Sequence, residues 1–513
     1  MSAAAQPGGD TAHRGFVVLA VMLATTMQAL DSTIANVALP HMQGSMGATQ
    51  GQISWVLTSY IVAAAVFIPL TGFVTSRFGR KRVFMWAVAG FTIASMLCGA
   101  AQSLTQIVIF RVLQGLFGAC LVPLSQAVML DTFAPSEHAR AMAMWGVGVM
   151  VGPILGPTLG GWLTEYYNWR WVFYINLPFG LLAWFGLAAY VRETPIDRSR
   201  PFDLLGYAFL SLAIGAFQMM LDRGESLDWF ASPEVVAEAL LAGLMFYLFL
   251  AHIFTHPRPF MEPAIFRDRQ FSIGLVLIFT IGAVMFSTMA LLPPFLQHLG
   301  GLPVLDVGLV LAPRGIGTML AMMAFGRLAS RVDGRHVIFL GMGLIAFSMW
   351  EMTHFTADVT AAEVIRTGVV QGLGLGFAFT PTSTLTFATL APHFRTEGTA
   401  IYSLLRNLGS SIGISIVVSN LAQWTQANHG ALAGFINPFS LPLRQAAESG
   451  AINLASPTGL ALVNAEVTRQ AAVLAYLQDF RLMMFLTLIV MPLPFLMRRP
   501  ALGEPAEPGV AVE

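Results

Sequence analysis

Long, mostly apolar blocks separated by short polar stretches make up most of this chain. A helix needs about 20 apolar residues to cross the roughly 30 Å of bilayer hydrocarbon. Fourteen blocks meet that length. Six are at 16–39, 52–74, 83–101, 107–130, 141–163 and 171–191, and two more at 204–221 and 235–254. The last six lie at 271–295, 306–328, 337–355, 361–390, 400–422 and 479–497. The first block is too long for the core of a signal peptide and has only Arg14 as a basic flank, so it reads as an uncleaved first span.

The arginines give the spans a direction, because basic residues are retained on the cytoplasmic side. Alternate loops hold Arg77, Arg80, Lys81, Arg82, Arg140, Arg192, Arg258, Arg267, Arg269, Arg327, Arg331, Arg335 and Arg395, along with Arg198 and Arg200. Arg14, Arg498 and Arg499 in the tails fall on the same side. The opposite loops hold only Arg170, Arg223, Arg444, Arg469 and Arg481. Both termini are therefore expected in the cytoplasm, which an even number of spans requires. The opposite side has one long polar loop, 423–478, and Trp169 and Trp171 read there as interfacial anchors.

Composition agrees with this reading. Of 513 residues, 56% are hydrophobic and 11% charged, against roughly 25% charged in soluble domains. A net charge of zero gives no sign of a nucleic-acid partner. Cys98 and Cys120 fall inside apolar runs and read as small buried hydrophobes.

The chain also repeats itself. Gly72 to Arg77 after the second span has the same Gly-x-x-x-Ser-Arg frame as Gly326 to Arg331 after the tenth. Arg111 with Gln114-Gly115 opens the fourth span as Arg366 with Gln371-Gly372 opens the twelfth, given a two-residue shift. Gly148-x-x-x-Gly152 matches Gly409-x-x-x-Gly413. Two related six-helix halves follow, 16–191 and 271–497, flanked by tails 1–15 and 498–513. Residues 192–270 form a linker carrying two extra helices. Parallel six-helix halves around a central site are the major facilitator architecture.

Asp31 is the candidate for chemistry. It lies about 22 Å into the first span at about 1.5 Å per residue. An ionisable group there is costly and by default functional. Arg111 enters its span from the opposite side and is expected at a similar depth, with Arg366 placed likewise in the second half. A nearby cation and desolvation pull a carboxyl's proton affinity in opposite directions, so Asp31 with Arg111 reads as a proton-loading pair, the alternative being a fixed structural ion pair. Gln28, Asn36, Gln126 and Asn407 are the amides expected to find polar partners along a substrate pathway. Arg406 is expected there too, meeting either an anionic group or a neighbouring helix. The 27 Met and 38 Phe suit promiscuous apolar ligands or simply face lipid. Gly148, Gly152, Gly156-Pro157 and Gly160-Gly161 put small residues on one face of the fifth span, where backbones approach closely.

Leu30-Asp31-Ser32-Thr33-Ile34-Ala35-Asn36-Val37-Ala38-Leu39-Pro40 resembles the first-span signature of the fourteen-helix drug:proton antiporters of the major facilitator superfamily, the EmrB/QacA type. Gly156-Pro157-Thr158-Leu159-Gly160-Gly161 resembles that family's antiporter motif, and Trp169 through Pro178 the start of its sixth span. Leu221-Asp222-Arg223-Gly224-Glu225 with Asp228-Trp229-Phe230 is similar to the EmrB branch of Gram-negative inner membranes. The likeness covers 16–497. It implies proton-driven export of hydrophobic toxic compounds with Asp31 as coupling acid and no cofactor beyond the proton gradient. It also implies a periplasmic adaptor protein and an outer-membrane channel as partners. One position departs: where the family's gate loop has Gly-x-x-x-Asp-Arg-x-Gly-Arg, Ser76 replaces the aspartate beside Gly72, Arg77, Gly79 and Arg80. Asp131, ending the fourth span, is the acid expected to substitute, facing Arg77. Export of a specific metabolite, fatty acid or siderophore stays open as an alternative. Uptake of a polar solute, an enzyme or a sensor fits worse, for want of clustered mid-span polar residues or an appended soluble domain.

Overall fold

The computed structural model describes residues 11–197, 201–437, 441–448 and 456–498. Arg198, Arg200, Arg499 and most of both tails lie outside the described residues. The first half comprises α1 (Thr11–Met46), α2 (Gln50–Ile53), α3 (Trp55–Phe67), α4 (Leu70–Phe78) and α5 (Arg80–Ala100). It continues with α6 (Leu104–Gly118), α7 (Leu121–Thr132), α8 (His138–Tyr166), α9 (Trp171–Tyr174) and α10 (Asn176–Tyr190). The inserted pair is α11 (Leu204–Arg223) and α12 (Pro233–Thr255). The second half holds α13 (Arg269–Pro294), α14 (Val304–Leu328), α15 (Gly334–Met352), α16 (Ala361–Thr386), α17 (Arg395–Ala433), α18 (Leu441–Glu448) and α19 (Pro457–Val490).

Every block expected to span falls on helix. Among the described residues eleven helices are long and apolar enough to cross a membrane, and α3 with α4, bent by 58°, makes a twelfth if the pair is one span. That bend sits at Pro69, which has no N–H to continue the helical ladder. Blocks 337–355 and 361–390 are α15 and α16, the latter made less apolar by its Gly, Ser and Thr. The chain is an all-α, multi-pass membrane protein.

Helix starts are set by local chemistry. On the arginine-rich side Asp203, Asp268 and Asp333 accept the first free N–H groups of α11, α13 and α15. On the other side Ser103, Thr360 and Ser456 do so for α6, α16 and α19. Burial works against the Asp203 carboxyl, but hydrogen bonds from the Gly206 and Phe260 N–H groups and from His252 outweigh it and hold its pKa below the ordinary value.

Within the first half α1 packs on α8 and α10, and α6 on α3 and α5. In the second, α13 packs on α17 and α14 on α16. The halves meet where α8 lies along α14 and α17 crosses α7 and α4. The inserted α11 straddles the seam. Its Asp222 accepts from Thr58 of α3, while its Gln218 donates to Ser411 of α17 at 2.9 Å.

Two expectations are corrected. Stretch 423–478 is mainly helix rather than loop: α17 continues to Ala433 and α19 begins at Pro457. Polar side chains that looked like loop instead zip the two helices together, Asn428 to Gln478 at 3.2 Å and His429 to Asn464 at 3.1 Å. Trp169 is buried with Arg170 over its ring, so only Trp171 of the two is exposed enough to anchor.

Candidate functional site

Asp31 and Arg111 form an ion pair at 2.7 Å with both side chains at 0% exposure. The pair exists because α1, α6 and α10 each deliver one polar stripe to the same point. Arg111 and Gln114 are three apart on α6, hence on one face. Arg111 Nη1 donates to Asp31 Oδ2, and Gln114 Nε2 donates to Oδ1 at 2.8 Å. Asn176, the first residue of α10, donates to the same Oδ1 at 3.0 Å and to Ser95 at 2.9 Å. Three N–H donors thus aim at an acceptor-only carboxylate. Arg111 is held in turn: its Nη1 also donates to Gln114 Oε1 at 2.8 Å, and its Nε to the Val56 carbonyl at 3.0 Å. Its carbon lies 4.2 Å from the Tyr60 ring centroid and 5.8 Å from that of Phe173. Gln28 donates to the Tyr60 hydroxyl at 3.2 Å, extending the network along α1.

The glycine stripe of α8 is what brings that helix against this segment of α1. A Cβ on Gly152 would lie 2.3 Å from the Ala29 carbonyl carbon, and one on Gly156 2.1 Å from Thr33 Oγ1. Gly160 would meet Ile34 at 2.9 Å. Thr33 donates across to the Gly152 carbonyl at 3.1 Å. Gly161 has nothing within 4 Å and takes no part in the contact. Pro157 sits within α8, which runs unbroken past it.

The arginine-rich ends of the halves are latched together. Asp131 pairs with Arg80 and, at 2.7 Å, with Arg395 at the start of α17. Arg80 also donates to Thr396 at 2.9 Å. Asp131 stands beside the gate loop that lacks an acid at Ser76, and its partner there is Arg80 rather than the expected Arg77, which is exposed. Gly79 makes this possible. Its φ of +91° turns the chain into α5, and its missing Cβ leaves room for Glu193, which caps the N–H groups of Lys81 and Arg82. Gly72 lets α4 approach Glu397, whose Cα would lie 3.3 Å from an added Cβ.

Other expected residues scatter. Gln126 is buried; its amide nitrogen reaches the Met142 sulfur at 3.9 Å and its oxygen has no partner. Beside it Trp145 bonds Ser125 and stacks on Phe379, joining the halves. Arg406 and Asn407 are half-buried on α17, with Arg406 Nε unpartnered. Asn36 is exposed rather than in a buried polar contact. Arg366 is 65% exposed and pairs with Glu351 at 2.9 Å, so it is not the second-half counterpart of Arg111. The buried cation there is Arg314 of α14, donating to the Met285 carbonyl at 3.2 Å. Gln114 and Asn176 stood in recognisable motifs without a role, whereas Tyr60 and Arg314 gave no signal in sequence.

Comparison with known proteins finds related sequences and a related fold. Residues 21–414 match the family described as Major Facilitator Superfamily. The fatty acid resistance protein FarB of Neisseria gonorrhoeae is 34% identical over 490 residues, covering 94% of this chain and 96% of that protein. The multidrug export protein EmrB of Escherichia coli K12 is 35% identical over 427 residues, 83% of each chain. In fold the chain is similar to the crystal structure of the human organic anion transporter MFSD10, with a TM-score of 0.59 at 15% identity, covering 92% of this chain and 99% of that one.

Proposed function

Because the chain belongs to the Major Facilitator Superfamily and is a membrane transporter rather than an enzyme, we propose that it is a proton-coupled antiporter exporting hydrophobic or amphipathic toxic compounds by alternating access. The observation that carries this reading is the Asp31–Arg111 pair, sealed from solvent and held by Gln114 and Asn176. In the paired arrangement both carboxylate oxygens accept from N–H donors, Oδ2 from Arg111 and Oδ1 from Gln114 and Asn176, which leaves little room for a proton. To take one it must leave Arg111, which requires α1, α6 and α10 to shift relative to one another. Proton loading is thereby tied to movement of the first half. No cofactor enters, since the proton gradient supplies the drive. The latch from Asp131 to Arg80 and Arg395 is the contact that has to open on the cytoplasmic side.

The setting we propose is a bacterial inner membrane with both termini in the cytoplasm, as the arginine bias supports. The helical extension of α17 and α19 then projects into the periplasm. Exposed Phe435 and Ile436 just past α17, Leu441 of α18, and Leu460 and Leu462 of α19 support a contact there with a periplasmic adaptor leading to an outer-membrane channel. A second cargo is favoured by Arg314 and Arg406, buried or half-buried cations with no carboxylate partner among the described residues, which suit an anionic amphiphile such as a fatty acid.

The test is substrate-dependent proton movement in proteoliposomes, wild type against Asp31→Asn, with a lipophilic cation and a fatty acid as alternative cargoes. Proton release coupled to substrate is expected in the wild type and lost in the variant. Unchanged coupling in Asp31→Asn removes Asp31 from the mechanism, and the preferred cargo decides between the two readings.

A further inference from the structure

Asp479 is a second buried carboxyl, and nothing in the mechanism above uses it. It lies on α19 at the outer end of the second half with 0% exposure. Among the described residues the Asn420 amide of α17 is the polar group that reaches its carboxyl, and neither oxygen meets a donor in full hydrogen-bond geometry. Tyr476 and Phe480, neighbours on the same face of α19, pack on Phe295, with centroids 5.3 and 6.5 Å apart. Phe355 closes the cluster against Phe295 and Phe480. The carboxyl thus lies beside Tyr476 at the edge of an aromatic cluster, whereas the buried Asp31 faces Arg111.

No cation reaches it from the elements packed around it among the described residues. On α13 the charge is Arg269, at the far end, and on α15 Arg335 and His336 are likewise at the far end, while Glu351 is taken by Arg366. On α17, Arg395 and Glu397 are at the far end, Arg406 lies several turns away, and His429 bonds Asn464 beyond the membrane. His298 and Arg481 are exposed, and Glu466 and Arg469 pair with each other at 2.8 Å. A bare carboxylate in such surroundings costs several kcal/mol, so the neutral acid is the form this pocket accommodates. The adjoining end of α13 is built to yield. Pro293 and Pro294 interrupt its ladder and Phe295–Leu299 form a π-helical turn, a feature that concentrates at functional sites.

We propose that Asp479 is a second proton-carrying group, loaded while the π-turn of α13 closes over it and released when that turn moves and admits water. The proposal rests on the proton-antiport reading and adds a carrier in the half that lacks an Asp31–Arg111 pair. The balance is one proton taken onto a carboxylate oxygen and one returned to water per cycle.

Two measurements test it. In proteoliposomes with an imposed pH difference of one unit, each proton coupled to electroneutral exchange multiplies the attainable substrate ratio about tenfold. Asp479→Asn, near in shape to the neutral acid, is expected to fold and to transport, with the ratio about tenfold lower. Infrared spectra of the purified protein at neutral pH are expected to show a protonated-carboxyl band that Asp479→Asn lacks; Asp479→Leu replaces it if the amide does not fold. An unchanged proton-to-substrate ratio, or a band that survives the substitution, overturns the proposal. If the wild type moves no protons, the antiport reading fails and this role falls with it. If the wild type does and Asp479→Asn moves as many, only this role fails.

Discussion

Removing either member of the Asp31–Arg111 pair should cost far more than removing both. Each side chain is fully buried, and Arg111 cannot shed its charge. Asp31→Asn leaves the guanidinium with the Val56 carbonyl, the Gln114 oxygen and two aromatic faces, but no anion. Breaking a buried pair on one side costs about 3–5 kcal/mol, or a hundredfold and more in the folding equilibrium. Arg111→Gln is expected to cost less, since a carboxyl can neutralise itself by taking a proton while Gln114 and Asn176 still donate to it. The double variant leaves no bare charge and should lose only about 1–2 kcal/mol of hydrogen bonding. Reversible unfolding in mixed micelles with increasing SDS, followed by tryptophan fluorescence, measures all four corners of the cycle. A coupling of at least about 2 kcal/mol is expected. If the double variant's loss equals the sum of the singles, the pair is not the mutually compensating unit described here.

Gly156→Leu should abolish transport and lower stability by about 1–3 kcal/mol, because its Cβ already meets Thr33 Oγ1; Gly161→Ala, in open space, should change neither, and parallel transport and thermal-melt assays separate the two. Arg366→Ala should leave transport intact and cost at most about 1 kcal/mol, as befits a solvent-exposed ion pair; loss of transport in a vesicle efflux assay would return it to the pathway. Asp131→Asn should favour separation of the arginine-rich ends, read as longer distances between spin labels on α4 and α17; an unchanged distance distribution would mean the latch does not hold the halves. Asp203→Ala should cost about 1 kcal/mol at neutral pH through loss of the α11 cap. Since the folded carboxyl lies below its unfolded value, that advantage of the wild type exists above about pH 4 and disappears as pH falls through the folded value, which unfolding at several pH values checks.

Much of the architecture was legible because a bilayer imposes a length and a charge bias that single residues report directly. The Asp31 site was legible for a related reason: a carboxylate deep in an apolar run has few fates. What failed were inferences that needed a helix's rotation or its continuation. Matching Arg366 to Arg111 required a shift of two residues, and at 3.6 residues per turn that swings a side chain by about 200°, onto the opposite face. Arg366 accordingly faces outward. The polar stretch 423–478 looked like loop because its amides had no visible partner; they pair with one another only once two helices lie side by side. Arg77 and Arg80 are equivalent in sequence, and only the turn at Gly79 decides which of them reaches Asp131.

The internal repeat, followed at its true offset, explains why the two halves differ in chemistry. Gln114 donates to Asp31, and at the same offset Gln371 donates to Thr288 at 3.3 Å. The amide-to-first-helix bond is thus common to both halves, while the carboxylate has become a hydroxyl. At that same offset Arg111 becomes Gly368, and the space above that glycine is taken by Arg314, approaching from α14 instead. A hydroxyl cannot carry the proton that an aspartate can, and Arg314 has a carbonyl rather than an acid to hold it. One half therefore holds a compensated charge pair, Asp31 with Arg111. The other holds Arg314 against a carbonyl and Arg406 with an unpartnered Nε among the described residues, and its only deeply buried acid among them, Asp479, lies apart from both, beside Tyr476.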